Sequence, residues 1–178
     1  MSPTNSAAFQ LTPENKKEPH QPSCLLNSIN WQTTNMDERP TFNVAIIYED
    51  SAAGRRAKHF YDKVIRELVD ECDFSLEHWN FQVLAIPEIG NSAAHVAAQA
   101  DFVILSMHGK AELPAQTRHW IERWSRLIAD SKPALVALLD QPETRHDTVA
   151  STLGYLRNVA ERRGISFYAH TTLCLSKN

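Results

Sequence analysis

The sequence contains no run of apolar residues approaching ~18, the length a helix needs to cross a bilayer, so no membrane partner is expected. Cysteine is scarce. Cys24, Cys72 and Cys174 are far apart and odd in number. That argues against a disulfide framework and a CxxC metal knuckle, and fits reduced thiols. There is no excess of basic charge: 18 Lys and Arg against 21 Asp and Glu give a net charge of −3. A polyanion-binding surface is not indicated, so nucleic acid is not an expected partner. The opening MSPTNSAAFQ lacks a basic segment followed by an apolar one, and does not read as a secretion signal. A cytoplasmic location is the expectation that remains. What is present, 43% hydrophobic and 22% charged residues over 178 positions, suits one globular domain of ordinary size.

Residues 1 to about 40 differ from the rest. They are rich in Pro, Asn, Ser, Thr and Gln and show no sustained period, the composition of a flexible arm. Within it, CLLNSINW (Cys24 to Trp31) is apolar enough to dock as a short segment. From Phe42 the character changes. FNVAII is a short β-branched run that reads as a buried strand. Ala57, Phe60, Tyr61, Val64, Ile65, Leu68, Val69 and Cys72 follow one helix face, predicting a helix from Ala53 to about Glu71. FSLEHWNFQVL (Phe74 to Leu84) reads as one strand with a bulge. NSAAHVAAQA reads as a short helix capped by Asn91 or Ser92. DFVILSMHG (Asp101 to Gly109) is a further apolar strand, and Pro114 suits the first residue of the next helix. KPALVALLD (Lys132 to Asp140) is another strand. Thr148 to Arg163 is a helix closed by Gly164, and ISFYA (Ile165 to Ala169) is the last strand, which TLCL could extend.

Apolar strands alternating with amphipathic helices predict a parallel sheet covered on both faces. With five strands and right-handed crossovers, the expected fold is a three-layer doubly wound α/β domain of order 2-1-3-4-5 over residues 41–170, with 171–178 as a tail. Such folds place ligands beyond the carboxyl ends of the strands. The stretches to inspect are therefore Tyr48 to Arg56, Leu84 to Asn91, Ser106 to Glu112 and Asp140 to Thr144.

Two families resemble parts of this pattern. Ala100 to Trp124 and the SKPALVALLD strand are similar to the flavodoxin-like group, over about a quarter of the chain. That group grips the phosphate of FMN with hydroxyl residues, a glycine and helix-start amides. The corresponding SAAGRR keeps Ser51 and Gly54, with alanine and arginine in place of other hydroxyl residues. Free amides at a helix start favour anions, and Arg55 and Arg56 would add charge. The acids Glu49 and Asp50 just before them would repel a dianion. The strand and turn VAIIYEDSAAGRRAKHF also resemble the response-regulator receiver domain. That resemblance implies an Mg²⁺ pocket at Glu49 and Asp50. It puts Ser106 at the position of the phosphoacceptor aspartate and Asp140 at that of a hydroxyl residue, and the lysine after the fifth strand is absent. Phosphotransfer to an aspartate is therefore not expected.

The candidate ligand loop comprises Ser51, Gly54, Arg55, Arg56, Ser106, His108 and Gly109, with Glu49 and Asp50 as candidate metal ligands. Each has a plainer reading. Acids gather near a helix N-terminus because its dipole favours them, and arginines there form ion pairs or face solvent. Ser106, His108 and Asp140 at neighbouring strand ends raise the idea of a Ser-His-Asp relay, without the G-x-S-x-G elbow that would support it. Trp120 and Trp124 read as core, with an interface stripe or cofactor stacking as alternatives. The expected function is a non-catalytic domain, regulatory or signalling in role, that binds a small, anionic ligand or a protein partner, including a second copy of the chain. The alternative is an FMN-binding oxidoreductase or electron carrier with a modified phosphate loop.

Overall fold

The computed structural model describes residues 39–68, 71–109, 112–129, 132–142 and 146–174. The expected arm lies outside the described residues except for Arg39 and Pro40, as does the whole Cys24–Trp31 patch.

The chain runs β1 (Thr41–Tyr48), α1 (Ser51–Leu68), β2 (Asp73–Asn80), a 3-10 turn (Val83–Ala85), α2 (Pro87–Ala98), β3 (Phe102–His108), α3 (Ala115–Leu127), β4 (Ala134–Pro142), α4 (His146–Arg163) and β5 (Phe167–Cys174). The strands form one five-stranded sheet in the order β2-β1-β3-β4-β5, every pair parallel. This is the doubly wound arrangement that the alternating pattern predicts.

Side chains alternate between the two faces of a strand, and the register carries that alternation across the sheet. On one face Ala45, Ile47, Val103, Leu105, Leu135, Ala137 and Leu139 join a cluster with residues of α2, α3 and α4. The helices contribute in two ways. α2 brings small residues, Ala93, Ala94, Ala97 and Ala98, so its backbone can lie close to the sheet. α3 brings Trp120 and Trp124, whose rings stack at 6.1 Å and 6°. Both tryptophans are buried, which supports the core reading. Each large apolar side chain removed from water here contributes about 1.5–3 kcal/mol. On the other face α1 packs on β1 and β3. It does so through Ala53, Ala57 and Tyr61, spaced one helical turn apart and all buried.

Several boundaries differ from expectation. The strand predicted over Phe74 to Leu84 stops at Asn80. There the Asn80 amide donates to the Glu49 carbonyl, and its side-chain oxygen accepts the Gln82 N–H. The chain turns, and Phe81 and Leu84 drop into the core instead of continuing the strand. α2 starts earlier than predicted, at Pro87. Pro suits that position because its missing N–H would be unpaired there anyway. Gly90 then falls inside the helix, where a Cβ would meet the Leu84 carbonyl oxygen at 2.5 Å. α1 begins at Ser51, not Ala53, because Asp50 caps it. β5 runs on to Cys174, so Thr171–Cys174 belong to the sheet and not to a tail. Gly164 closes α4 with φ of +63°, as the sequence suggests.

Candidate functional site

The carboxyl ends of β1, β3 and β4 lie side by side, because β1 and β4 both pair with β3. Three loops leave from this edge. Register pairs His108 with Asp140 directly across β3 and β4. The β1–α1 turn is drawn onto the same edge when the Glu49 N–H donates to the Ser106 carbonyl at 3.0 Å.

Asp50 is the N-cap of α1. Its Oδ1 accepts the N–H groups of both Ala52 and Ala53, each at 2.9 Å. An anion placed here satisfies donors that the helix itself cannot pair, and sits at the positive end of the helix dipole. The amide of Ala53, then the imidazole of His108, hold the Asp50 carboxyl below the usual carboxylate range. Its second oxygen meets His108 Nε2 at 2.8 Å.

His108 is the hub of the cluster. Its Nδ1 bonds to Asp140 Oδ2, its Nε2 to Asp50 Oδ2, and its backbone N–H donates to Glu49 Oε2 at 2.6 Å. Burial by itself would lower the imidazole pKa, but the bonds to Asp50 and Asp140 and their charges outweigh it and raise it. Asp140 is the buried anchor. Its Oδ1 accepts the Gly109 N–H at 2.9 Å, and Arg56 approaches its Oδ2 at 3.4 Å. Burial would raise the Asp140 pKa, but the Gly109 amide, His108 and Arg56 together lower it. Arg56 also donates to the Met107 carbonyl at 2.7 Å.

The expected site residues thus separate into four groups. Arg56, His108 and Gly109 come together with Glu49, Asp50 and Asp140. Ser106 is fully buried beneath them, and its hydroxyl donates to the Ala53 carbonyl at 2.8 Å, tying α1 to β3. That bond makes Ser106 a structural tie, and the Ser-His-Asp relay is not formed: His108 bonds to two carboxylates. Ser51 and Arg55 lie on the exposed side of the first turn of α1. Gly54 backs onto Tyr48, whose ring would stand 3.1–3.4 Å from an added Cβ. Arg56 pairs with Asp140 across the sheet end, and the partner of Asp50 is His108. Asp140 and the Asp50–His108 bond were not legible as a unit, because only the strand register sets them opposite one another. Among the described residues no group of three or more His, Cys, Asp or Glu residues is arranged to hold a metal ion.

No family model and no curated protein matches the chain. Solved structures do. The Trp repressor binding protein from Bacillus subtilis superposes with a TM-score of 0.51 at 13% identity, over 74% of this chain and 85% of that one. The fold is flavodoxin-like. Two further structures share it more loosely. A short-chain flavodoxin associated with a non-canonical PDU bacterial microcompartment matches at 8% identity and a TM-score of 0.49, over 76% of this chain and 83% of that one. General stress protein 14 from Treponema denticola, solved in complex with FMN, matches at 14% identity and a TM-score of 0.46, over 76% and 87%. At these identities the flavodoxin-like likeness is one of fold, and function is read from the site.

Proposed function

We propose that this flavodoxin-like domain is a non-catalytic binding module that engages a protein partner at the carboxyl edge of β1, β3 and β4, and that it does not carry FMN through a phosphate grip. One observation supports this most directly. The helix-start amides of Ala52 and Ala53, which lie where a flavodoxin-like fold would receive a phosphate, are taken by the Asp50 carboxylate. A phosphate dianion brought there would meet Asp50 and Glu49, and would have to displace a capping bond worth about 1 kcal/mol. Arg56 does not offset them, since its guanidinium is turned inward to Asp140 and the Met107 carbonyl. Apart from Arg56 Nε, which is buried without a partner, the polar side chains at the edge bond to one another, as suits a contact surface more than a ligand pocket.

FMN binding is the second reading. It is supported by the fold and by the placement of Ser51 and Gly54 at the switch point of the sheet. An absorbance scan of the purified protein, followed by titration with FMN read by flavin fluorescence, separates the two. The first reading expects a colourless protein and no quenching. Flavin that co-purifies, or saturable quenching, overturns it and establishes the second.

A further inference from the structure

The two edge strands of the sheet, β2 and β5, are guarded differently. An open edge presents unpaired N–H and C=O groups to any other strand, and charge or proline along it discourages pairing. β2 (DFSLEHWN) carries Asp73 and Glu77. β5 (FYAHTTLC) has no Asp, Glu, Lys, Arg or Pro. Every residue from Tyr168 to Thr172 is exposed, and Tyr168 is among the exposed large apolar side chains. Alternate residues of a strand turn their backbone groups to opposite sides. The Leu135 N–H donates to the Ser166 carbonyl at 2.8 Å, so the even-numbered positions from Ser166 onward face β4. Phe167, Ala169, Thr171 and Leu173 turn theirs outward, where no strand among the described residues meets them. Above this edge lies α4, which packs on β4 and β5. Its flank beside β5 carries Ala150, Gly154, Arg157 and Glu161, all exposed and about one helical turn apart. Arg157 stands over the Phe167 ring at 5.9 Å. A Cβ added at Gly154 would meet nothing within 4 Å, so there is room for a neighbouring helix.

We propose that β5 is a self-pairing edge, through which two copies of the chain join their five-stranded sheets into one, β5 running antiparallel to β5 about a twofold axis normal to the sheet. Symmetry fixes the register. Rotation about such an axis keeps each face of the sheet on its own side, so even-numbered residues pair with even and odd with odd. Only the register centred on His170 gives all four outward-facing residues a partner within the strand. It sets Phe167 opposite Leu173 of the second copy, Ala169 opposite Thr171, Tyr168 opposite Thr172, and His170 opposite its own copy on the axis. The odd pairs exchange hydrogen bonds. The His170 pair is of the closer, non-hydrogen-bonded kind, with Cα atoms ~4.5 Å apart.

Charge favours a second copy as the occupant. The same axis sets the two α4 helices antiparallel and about 10 Å apart, a normal helix packing distance. The basic last turn of α4, with Arg162 and Arg163, then comes beside the first turn of the other α4, which includes Asp147. The flanks that face each other carry one charge of each sign, Arg157 and Glu161, so the copies do not repel as two like-charged faces do. The pairing is closed. It uses both β5 edges and leaves only the charged β2 edges, so assembly stops at the dimer. The interface is separate from the β1–α1 turn, and its test is independent of the flavin titration.

Sedimentation velocity of the full chain over a range of concentrations tests it. The expected result is reversible association from 20.1 kDa to twice that mass and no further. His170→Lys puts two like charges opposite each other on the axis, and the dimer dissociation constant should rise by more than about tenfold, with the circular dichroism spectrum unchanged. Ser75→Lys, an exposed position on the other edge strand, should leave the dimer intact. Cysteine variants read the register directly. A Cα separation of ~4.5 Å lies within disulfide range, so His170→Cys should give a dimer linked through position 170 under mild oxidation, located by peptide mapping. Tyr168→Cys should not link through its own position, because the two copies of residue 168 stand roughly 13 Å apart along the strands. A monomer at all concentrations, species that grow beyond the dimer, a dimer weakened by Ser75→Lys but not by His170→Lys, or equal linking at positions 168 and 170 overturns the proposal.

Discussion

Asp140→Asn tests the buried anchor of the cluster. The substitution keeps the shape, and the asparagine oxygen can still accept the Gly109 N–H that now reaches Asp140 Oδ1 at 2.9 Å. What is lost is the charge facing His108 and Arg56. Removing one member of a fully buried ion pair costs about 3–5 kcal/mol. Here Asp140 is buried, but the side chains of Arg56 and His108 are 20% and 17% exposed, and Arg56 stands at the long distance of 3.4 Å. Water reaches both cations, so the expected cost is lower, about 2–3 kcal/mol. With a urea slope of about 2 kcal/mol/M, the unfolding midpoint should drop by roughly 1 M. The pH dependence carries the sharper test. The folded pKa of Asp140 is depressed, so its contribution is present above its unfolded value near 3.8 and lost as pH falls through the folded value. That of His108 is raised, so its contribution is present below about 6.5 and lost as pH rises through the folded value. Both act together between these limits. The gap between wild type and Asp140→Asn should therefore be widest near pH 5–6. It should narrow at alkaline pH, where only Arg56 still needs the carboxylate, and close in strong acid. Urea melts read by tryptophan fluorescence across this range measure it. Equal midpoints at pH 6, or a gap that does not vary with pH, would refute the reasoning.

Two further outcomes follow from packing. In Gly109→Ala the new Cβ would stand 2.4 Å from both the Asp140 carbonyl oxygen and Val149 Cγ2. The backbone atom cannot yield, so a loss of about 1–3 kcal/mol or more is expected in urea melts, together with a changed His108 titration. Trp120→Phe should cost more than Trp124→Phe by about 1 kcal/mol. Trp120 Nε1 donates to the Gly90 carbonyl at 2.9 Å, whereas Trp124 Nε1 is buried with no partner, so truncating it removes a polar group that was already unpaid. Thermal melts of the two variants decide the order, and an inverted order sinks the argument.

The central strands β1, β3 and β4 were legible because each carries a short apolar run that can sit only between two layers. The helices were legible because α1, α3 and α4 repeat apolar residues at helical spacing. Misreadings fall where a tertiary bond overrides local preference. FQVL after Asn80 has strand-forming residues, but the Asn80 bonds to Glu49 and Gln82 turn the chain there. The start of α2 was missed because NSAA looks like a cap, while Pro87 and the close approach of Gly90 to Leu84 set the start a turn earlier. At the site the residue types were visible, as was the nearness of His108 to Asp140, but the partners of Asp50 and Arg56 were not. Glu49, Asp50, His108 and Asp140 stand at strand ends in the sequence, and Arg56 lies in the helix that follows β1. Nothing local says that Arg56 reaches past the nearby acids to Asp140, across 84 positions of chain.

Composition, periodicity and the order of apolar runs were enough to determine a parallel three-layer domain, because burying two faces of a sheet leaves few arrangements. The chemistry of its edge was decided only by the sheet. Pairing β3 with both β1 and β4 sets one imidazole between an exposed and a buried carboxylate, and lets a third acid accept its backbone N–H. Hydrogen bonds act over about 3 Å, a scale on which the positions of residues 50, 108 and 140 are fixed by strand register and not by any property of the chain between them.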